Sequence, residues 1–213
     1  MKKTILFALM LLASASTFAQ ETEKKESSTE RISFGLKAGF TFPVFASKGV
    51  TANTVTNSSL TSYYGGVFVS VPIVKGFSIQ PGATLIGKGG SVKFNDVSTE
   101  YKPLYLEVPV NVVGALQAGP GKVIIGAGPY ASWGISGKVK IGDEEAKNIE
   151  FGTGKTGLKS FDWGINFLAG YQLDMGLGIN AGYSIGMNNI QSNDTVSETF
   201  NRGVWSLGLV LAF

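Results

Sequence analysis

Residues Phe161 to Leu173 read FDWGINFLAGYQL, and they separate into two sets by odd and even position. Phe161, Trp163, Ile165, Phe167, Ala169, Tyr171 and Leu173 are apolar or aromatic. Asp162, Gly164, Asn166, Gly170 and Gln172 are polar or carry no side chain, with Leu168 the one exception. A period of two places alternate residues on opposite faces of a β-strand. The following segments repeat it: Leu177, Ile179, Ala181, Tyr183, Ile185 and Met187 alternate with Gly178, Asn180, Gly182, Ser184, Gly186 and Asn188. At the C-terminus Trp205, Leu207, Leu209, Leu211 and Phe213 alternate with Ser206, Gly208, Val210 and Ala212.

Working toward the N-terminus, the same pattern predicts five more strands, at Ile32 to Phe42, Ser62 to Pro72, Phe77 to Lys88, Lys102 to Val113 and Val123 to Ile135. Eight strands of this length suit a bilayer, which a tilted strand crosses in about 9–11 residues. The connectors alternate. Ile73 to Gly76, Gly114 to Lys122 and Asp174 to Gly176 are short, whereas residues 43–61, 89–101, 137–160 and 189–201 are longer and rich in Ser, Thr, Asn and charge. An even strand number with short turns at one end and long loops at the other is the plan of an outer-membrane barrel.

A soluble sandwich or lipocalin-type barrel would alternate too, so the decision rests on the polar face. A soluble barrel shows Lys and Glu to solvent. Here the polar rows are mostly Gly, Ser, Asn and Gln, with isolated charges at Lys37, Lys88, Glu107 and Asp162. These four are expected inside, as a lumen charge network in which two cations balance two anions, supported by Gln80, Asn111 and Asn166. Buried charge is costly unless paired, so mutual salt bridges are the default arrangement. A register slip of one residue would push them into lipid, at about 2–4 kcal/mol for each Lys near the midplane. Aromatic residues fall into two girdles: Tyr63, Trp133, Trp163 and Trp205 near the outer rim, and Phe77, Tyr171 and Phe213 near the inner one.

The rest of the composition agrees. Of 213 residues, 44% are hydrophobic, 15% charged and 29 are Gly, too apolar for a disordered chain and too Gly-rich for a helical bundle. Lys2 and Lys3 precede the apolar run Ile5 to Ala13 and the small-x-small site Thr17-Phe18-Ala19, which predicts a cleaved signal peptide at residues 1–19, cut between Ala19 and Gln20. The apolar run is too short to span a membrane as a helix. Removing those 19 residues leaves 194. Without Lys2 and Lys3 there are 16 basic residues against 15 acidic, so the formal charge of +3 is largely a property of the leader. No basic stripe remains for nucleic acid. Residues 20–31 are polar and charged, the composition of a disordered periplasmic tail, and the barrel domain is expected over residues 32–213.

The last strand, Trp205, Leu207, Leu209, Leu211 and the terminal Phe213, resembles the signal that such barrels present to the barrel-insertion machinery. Phe34-Gly35-Leu36-Lys37-Ala38-Gly39-Phe40, Tyr105-Leu106-Glu107-Val108-Pro109-Val110 and Phe161-Asp162-Trp163-Gly164-Ile165-Asn166 with Ala169-Gly170-Tyr171 resemble the porin-like, PorT-type outer-membrane β-barrel family of Bacteroidota. The resemblance spans essentially residues 32–213. It implies an all-β, eight-stranded antiparallel transmembrane barrel of the up-and-down OmpA/OmpX kind in the outer membrane, and no one activity.

Candidate chemistry is sparse. The chain has no Cys and no His, so the usual thiolate and imidazole routes to nucleophiles and metal sites are closed. Gly152-Thr153-Gly154-Lys155-Thr156 suggests a phosphate loop, but the pattern needs Gly where Ile149 stands. Gly126, Gly128, Ala131 and Gly176, Gly178, Ala181 mimic a dinucleotide fingerprint, which Gly at alternate strand positions generates by itself. Asp143, Glu144, Glu145 and Glu150 lack EF-hand spacing and are interspersed with lysines. No enzyme, cofactor or metal is expected. The predicted role is a barrel that anchors external loops 43–61, 137–160 and 189–201 for contact with a surface ligand or envelope protein. The alternatives are a narrow porin-like channel and an accessory component of an envelope secretion system.

Overall fold

The computed structural model describes residues 31–46, 55–94, 97–142, 144–149, 151, 160–187 and 201–213, which belong to a unit running from Arg31 to Phe213. The expected signal peptide, its Ala19/Gln20 cleavage site and the tail up to residue 30 lie outside the described residues. Eleven strands follow one another: β1 Ser33–Ala46, β2 Val55–Ser59, β3 Ser62–Val74, β4 Phe77–Gly87, β5 Gly90–Phe94, β6 Val97–Ala118, β7 Gly121–Ile141, β8 Lys147–Asn148, β9 Phe161–Leu173, β10 Leu177–Gly186 and β11 Asn201–Ala212.

Eight of them, β1, β3, β4, β6, β7, β9, β10 and β11, form a closed antiparallel ring in chain order. The seam joins β1 to β11 from Gly35 opposite Ala212 to Ala46 opposite Asn201. Phe34 and Phe213 then exchange both backbone hydrogen bonds, at 3.0 and 2.8 Å. Closure matters because lipid offers no hydrogen bonds, so a spanning sheet must have no open edge. The ring is the eight-stranded antiparallel barrel that the alternation predicts.

Its faces are inverted relative to a soluble protein. Phe34, Phe40, Val67, Leu85, Phe167, Leu207 and Leu209 stand exposed outside, while Thr41, Thr84, Ser132, Asn111 and Asn166 are buried inside. Tyr63, Trp133, Trp163 and Trp205 project outward at the loop end, and Phe77 and Phe213 at the turn end. Tyr171, at the same end, donates its hydroxyl to the Ala118 carbonyl at 2.8 Å. Short turns close that end. At Gly176, φ is +91° and a Cβ would strike the Ala212 carbonyl oxygen, so only Gly lets the β9–β10 turn pass beneath β11.

Register around the ring sets the heights of lumen residues. Val71, Ile79, Val112, Ala127, Phe167, Tyr183, Trp205 and Phe42 are successive outward-facing partners. Val71 lies one step past the Ser33–Ser70 pair, opposite Ile32, so the circuit arrives at Phe42, ten residues above its start. A stagger of ten over eight strands tilts them by about 35–45°. A row of partners thus climbs a little more than one residue per strand.

Five expectations need correction. Residues 89–101 and 137–160 are not simply loops: β5, the first residues of β6, the last of β7 and the short β8 make strands there. Together with β2, inside the expected 43–61 loop, they extend the sheet beyond the ring in the order β2, β5, β6, β7, β8. The turn after the fourth ring strand is also tighter than residues 114–122, because β6 runs to Ala118 and β7 begins at Gly121. Pairing from Thr99–Ile141 to Ala118–Gly121 makes one long hairpin, which propensity within each half could not reveal. Finally, the seventh ring strand stops at Gly186, short of the expected Asn188.

Candidate functional site

Lys37, Gly66, Thr84, Glu107, Ser132 and Asp162 are successive partners on the lumen face. The climb of this row decides which charges meet. Asp162 lies three strands from Thr84, hence about four residues higher, which is the level of Lys88 just beyond the end of β4. The Lys88 ammonium reaches Asp162 Oδ2 at 3.1 Å and Glu107 Oε2 at 3.3 Å, and donates to Ser132 Oγ at 3.5 Å. The rings of Tyr105 and Tyr130 lie 5.1 and 4.8 Å from it, within cation–π range. Tyr130 donates its hydroxyl to Asp162 Oδ2 at 3.2 Å, and Ser132 donates to the Asp162 carbonyl at 3.4 Å. Lys88 is only 1% exposed.

Lys37 does not join this layer, which corrects the expectation of two cations paired with two anions. On the same reasoning it sits about four residues below Glu107. It faces a partly open lumen cavity of about 110 Å³ that Glu107, Thr84, Asn111, Asn166 and Gln80 also line. Among the described residues it forms no ion pair with Glu107, whose partner is Lys88. Glu107 Oε2, Thr84 Oγ1 and Asn111 Oδ1 accept no hydrogen bond among the described residues. A volume of this size admits about three or four waters, enough to serve these acceptors. Of the expected polar supports, Asn166 accepts from Ser184 at 2.6 Å and Gln80 donates to Ser70 at 3.3 Å.

Sequence reasoning missed the aromatic part of the interior. Tyr64, Tyr105 and Tyr130 are all buried, and Tyr64 donates to Asn180 Oδ1 at 3.2 Å across the lumen. Parity could have found them, since Tyr105 shares its face with Glu107 and Tyr130 with Ser132. Beside the charge layer Tyr64, Ile86, Tyr105 and Val204 form an apolar cluster, and Phe151 packs edge-on against Tyr105 at 5.8 Å. The Phe151 ring occupies the space a side chain at Gly134 would fill. A charged cluster and an aromatic one thus share the upper lumen.

The other singled-out residues fall elsewhere. Trp205, Leu207, Leu209, Leu211 and Phe213 form an exposed outward row on β11 and its end. Gly126, Gly128 and Gly178 are strand glycines on the lumen side, with no strand-to-helix turn around them. Gly152 to Thr156, Asp143 and Glu150 lie outside the described residues. Glu144 pairs with Lys147 at 3.3 Å on the surface.

A family model described as an outer membrane protein beta-barrel domain matches residues 18–192. Among solved structures, Ail of Yersinia pestis, in complex with the heparin analogue sucrose octasulfate, is similar at 12% identity and TM-score 0.45, over 86% of this chain and 100% of that one. OprG of Pseudomonas aeruginosa is similar at 12% identity and TM-score 0.49, over 85% and 95%. Neisserial surface protein A is similar at 15% identity and TM-score 0.46, over 86% and 100%. No curated protein matches the chain. With the family match extending over most of a chain whose strands close into an inverted eight-membered ring, the protein belongs to the outer membrane protein β-barrel domain family.

Proposed function

We propose that this protein is a non-enzymatic outer-membrane barrel whose role is to hold its external strands and loops in contact with a surface ligand or envelope protein. The observation that carries this reading is the occupation of the upper lumen by side chains. Lys88, Glu107, Asp162 and Ser132 form a buried charge cluster inside the barrel, and Phe151 packs against Tyr105 beside it. Eight strands leave an interior small enough for side chains to occupy much of it. Available above the ring for such contact are the sheet that β6 and β7 extend with β2, β5 and β8 and the segments 43–61, 137–160 and 189–201. Export by the signal peptide and insertion through the Phe213-terminated strand would deliver it, and the strand motifs resemble the porin-like, PorT-type outer-membrane barrel family of Bacteroidota.

Planar-bilayer recording with refolded protein tests the reading: no discrete conductance steps are expected. A second reading, a narrow channel, draws on the polar cavity around Lys37 beneath the charge layer. It predicts steps in the wild type and an altered ion selectivity in Glu107→Gln. Crosslinking from the three loop segments in intact cells separates a surface role from membership of a secretion assembly, which would yield the same envelope proteins in each pull-down.

A further inference from the structure

Where β6 and β7 leave the ring, the register brings like charges together. Lys102 lies directly opposite Lys138, and Glu100 opposite Lys140. Opposed residues of an antiparallel pair share a face with Cβ atoms about 5 Å apart, and like charges there destabilise the sheet. Glu100 offsets part of this, since its carboxylate takes the Lys102 ammonium at 2.9 Å. Three lysines against one acid still leave an excess of two positive charges. Lys138 has no ion pair among the described residues, and Asn148 of β8 stands beside it.

The face they share is the lipid-facing one. On β6, Lys102 continues the outward row of Val108, Leu106 and Leu104. On β7 the outward row runs through Ala131 and Trp133. A bulge at Ile135 then shifts the register, pairing Tyr105 with Gly134 but Leu104 with Ser136. Were Ile135 taken into regular pairing, Lys138 and Lys140 would point to the lumen side; because it is bulged out, they face outward beside Lys102. The Lys102–Lys138 pair sits four residues above Leu106, the partner row of Trp133, so about 10 Å higher on a tilted strand. That is headgroup depth, within reach of a lysine side chain.

We infer that Lys102 and Lys138, with Lys140, form a binding site for the phosphate headgroup of a lipid in the external leaflet. The site rests on the reading that the ring spans the outer membrane, and it extends that reading to a specific lipid contact. A phosphate between Lys102 and Lys138 removes the repulsion that the register imposes, and the acyl chains then lie along Leu106, Val108 and Trp133 below.

The test uses the full chain with Trp133 as sole tryptophan, through Trp163→Phe and Trp205→Phe, refolded into phosphatidylcholine vesicles. Energy transfer from Trp133 to dansyl-labelled phosphatidate is compared with transfer to dansyl-labelled phosphatidylcholine. Each lysine near the headgroups is worth roughly a fivefold preference, so the wild type favours phosphatidate by about thirtyfold. Lys102→Gln with Lys138→Gln loses this preference, whereas Lys122→Gln at the turn end keeps it. An equal preference in the double variant overturns the site. Loss of the preference on adding millimolar inorganic phosphate also overturns it, in favour of a soluble anion. Heat-modifiable gel migration in the same vesicles reports insertion separately, so failure of the membrane reading is distinguishable from failure of the lipid site.

Discussion

Replacing Lys88 by Met keeps the length of the side chain and removes the charge on which two buried carboxylates depend. Glu107 and Asp162 side chains are only 5% and 8% exposed, so little solvent screens what is left behind. Removing one partner of a buried pair costs about 3–5 kcal/mol, because the other charge stays buried and unpaired. Two features pull the value toward the lower end. Asp162 retains the Tyr130 hydroxyl, and Glu107 borders the cavity, where water can approach it. Loss of contact with the Tyr105 and Tyr130 rings adds about 1 kcal/mol. The expected destabilisation is therefore about 4 kcal/mol, read as a shift of the urea midpoint in vesicles at unchanged slope. The triple variant Lys88→Met, Glu107→Gln, Asp162→Asn is expected to recover to within about 1 kcal/mol of wild type, since no charge is then left unpaired. The pair Lys88→Met and Asp162→Asn should couple by about 2 kcal/mol. A single Lys88→Met variant as stable as wild type, or a triple variant as weak as the single one, would refute the central place given to Lys88.

Three further outcomes are expected. Gly164→Ala sets a methyl against the Ile185 carbonyl oxygen and the Tyr130 ring, and should cost about 1–3 kcal/mol in the same unfolding assay, while Gly65→Ala, whose nearest neighbour is 4.0 Å away, should cost much less. Leu209→Lys places a charge on the lipid face of β11, 58% exposed in the middle of the span, and should lower stability by about 2–4 kcal/mol, a loss that detergent-solubilised protein does not show in full. Outside the membrane, the Lys102 hydrogen bond and charge hold the Glu100 carboxyl below its usual 4.5, with Lys140 adding to the effect. A carboxylate with a lowered folded value contributes above its unfolded value and loses that contribution as pH falls through the folded one. Glu100→Gln should therefore lower the midpoint slightly at pH 7, by less than about 1 kcal/mol because the pair is exposed, and the difference should vanish well below pH 4.5.

Parity along the chain was enough to see the ring, its inverted faces and the four inward charges, because each of those follows from one strand read alone. What the charges do to one another follows from all the strands at once. Lys37 and Lys88 look equivalent in sequence: each is a lone cation on the small-residue face of a strand. The ten-residue stagger separates them, lifting Asp162 and Glu107 to the level of Lys88 and leaving Lys37 below, beside the cavity. The same global quantity hides in the β6–β7 hairpin. Lys102 and Lys138 are in segments whose alternation is interrupted, and one extra residue at Ile135 decides whether β7 shows its lysines to the lumen or to the headgroups. A shift of register is invisible to periodicity, which knows only the strand it is in. It follows that deleting Ile135 should remove the bulge without changing which way these lysines face. Gly134 stays opposite Tyr105 and Ser136 opposite Leu104, so Lys138 and Lys140 keep facing outward beside Lys102 and the phosphatidate preference is retained. Loss of that preference in an inserted deletion variant would show that the site depends on the bulge itself and not on the register of Lys138 against Lys102.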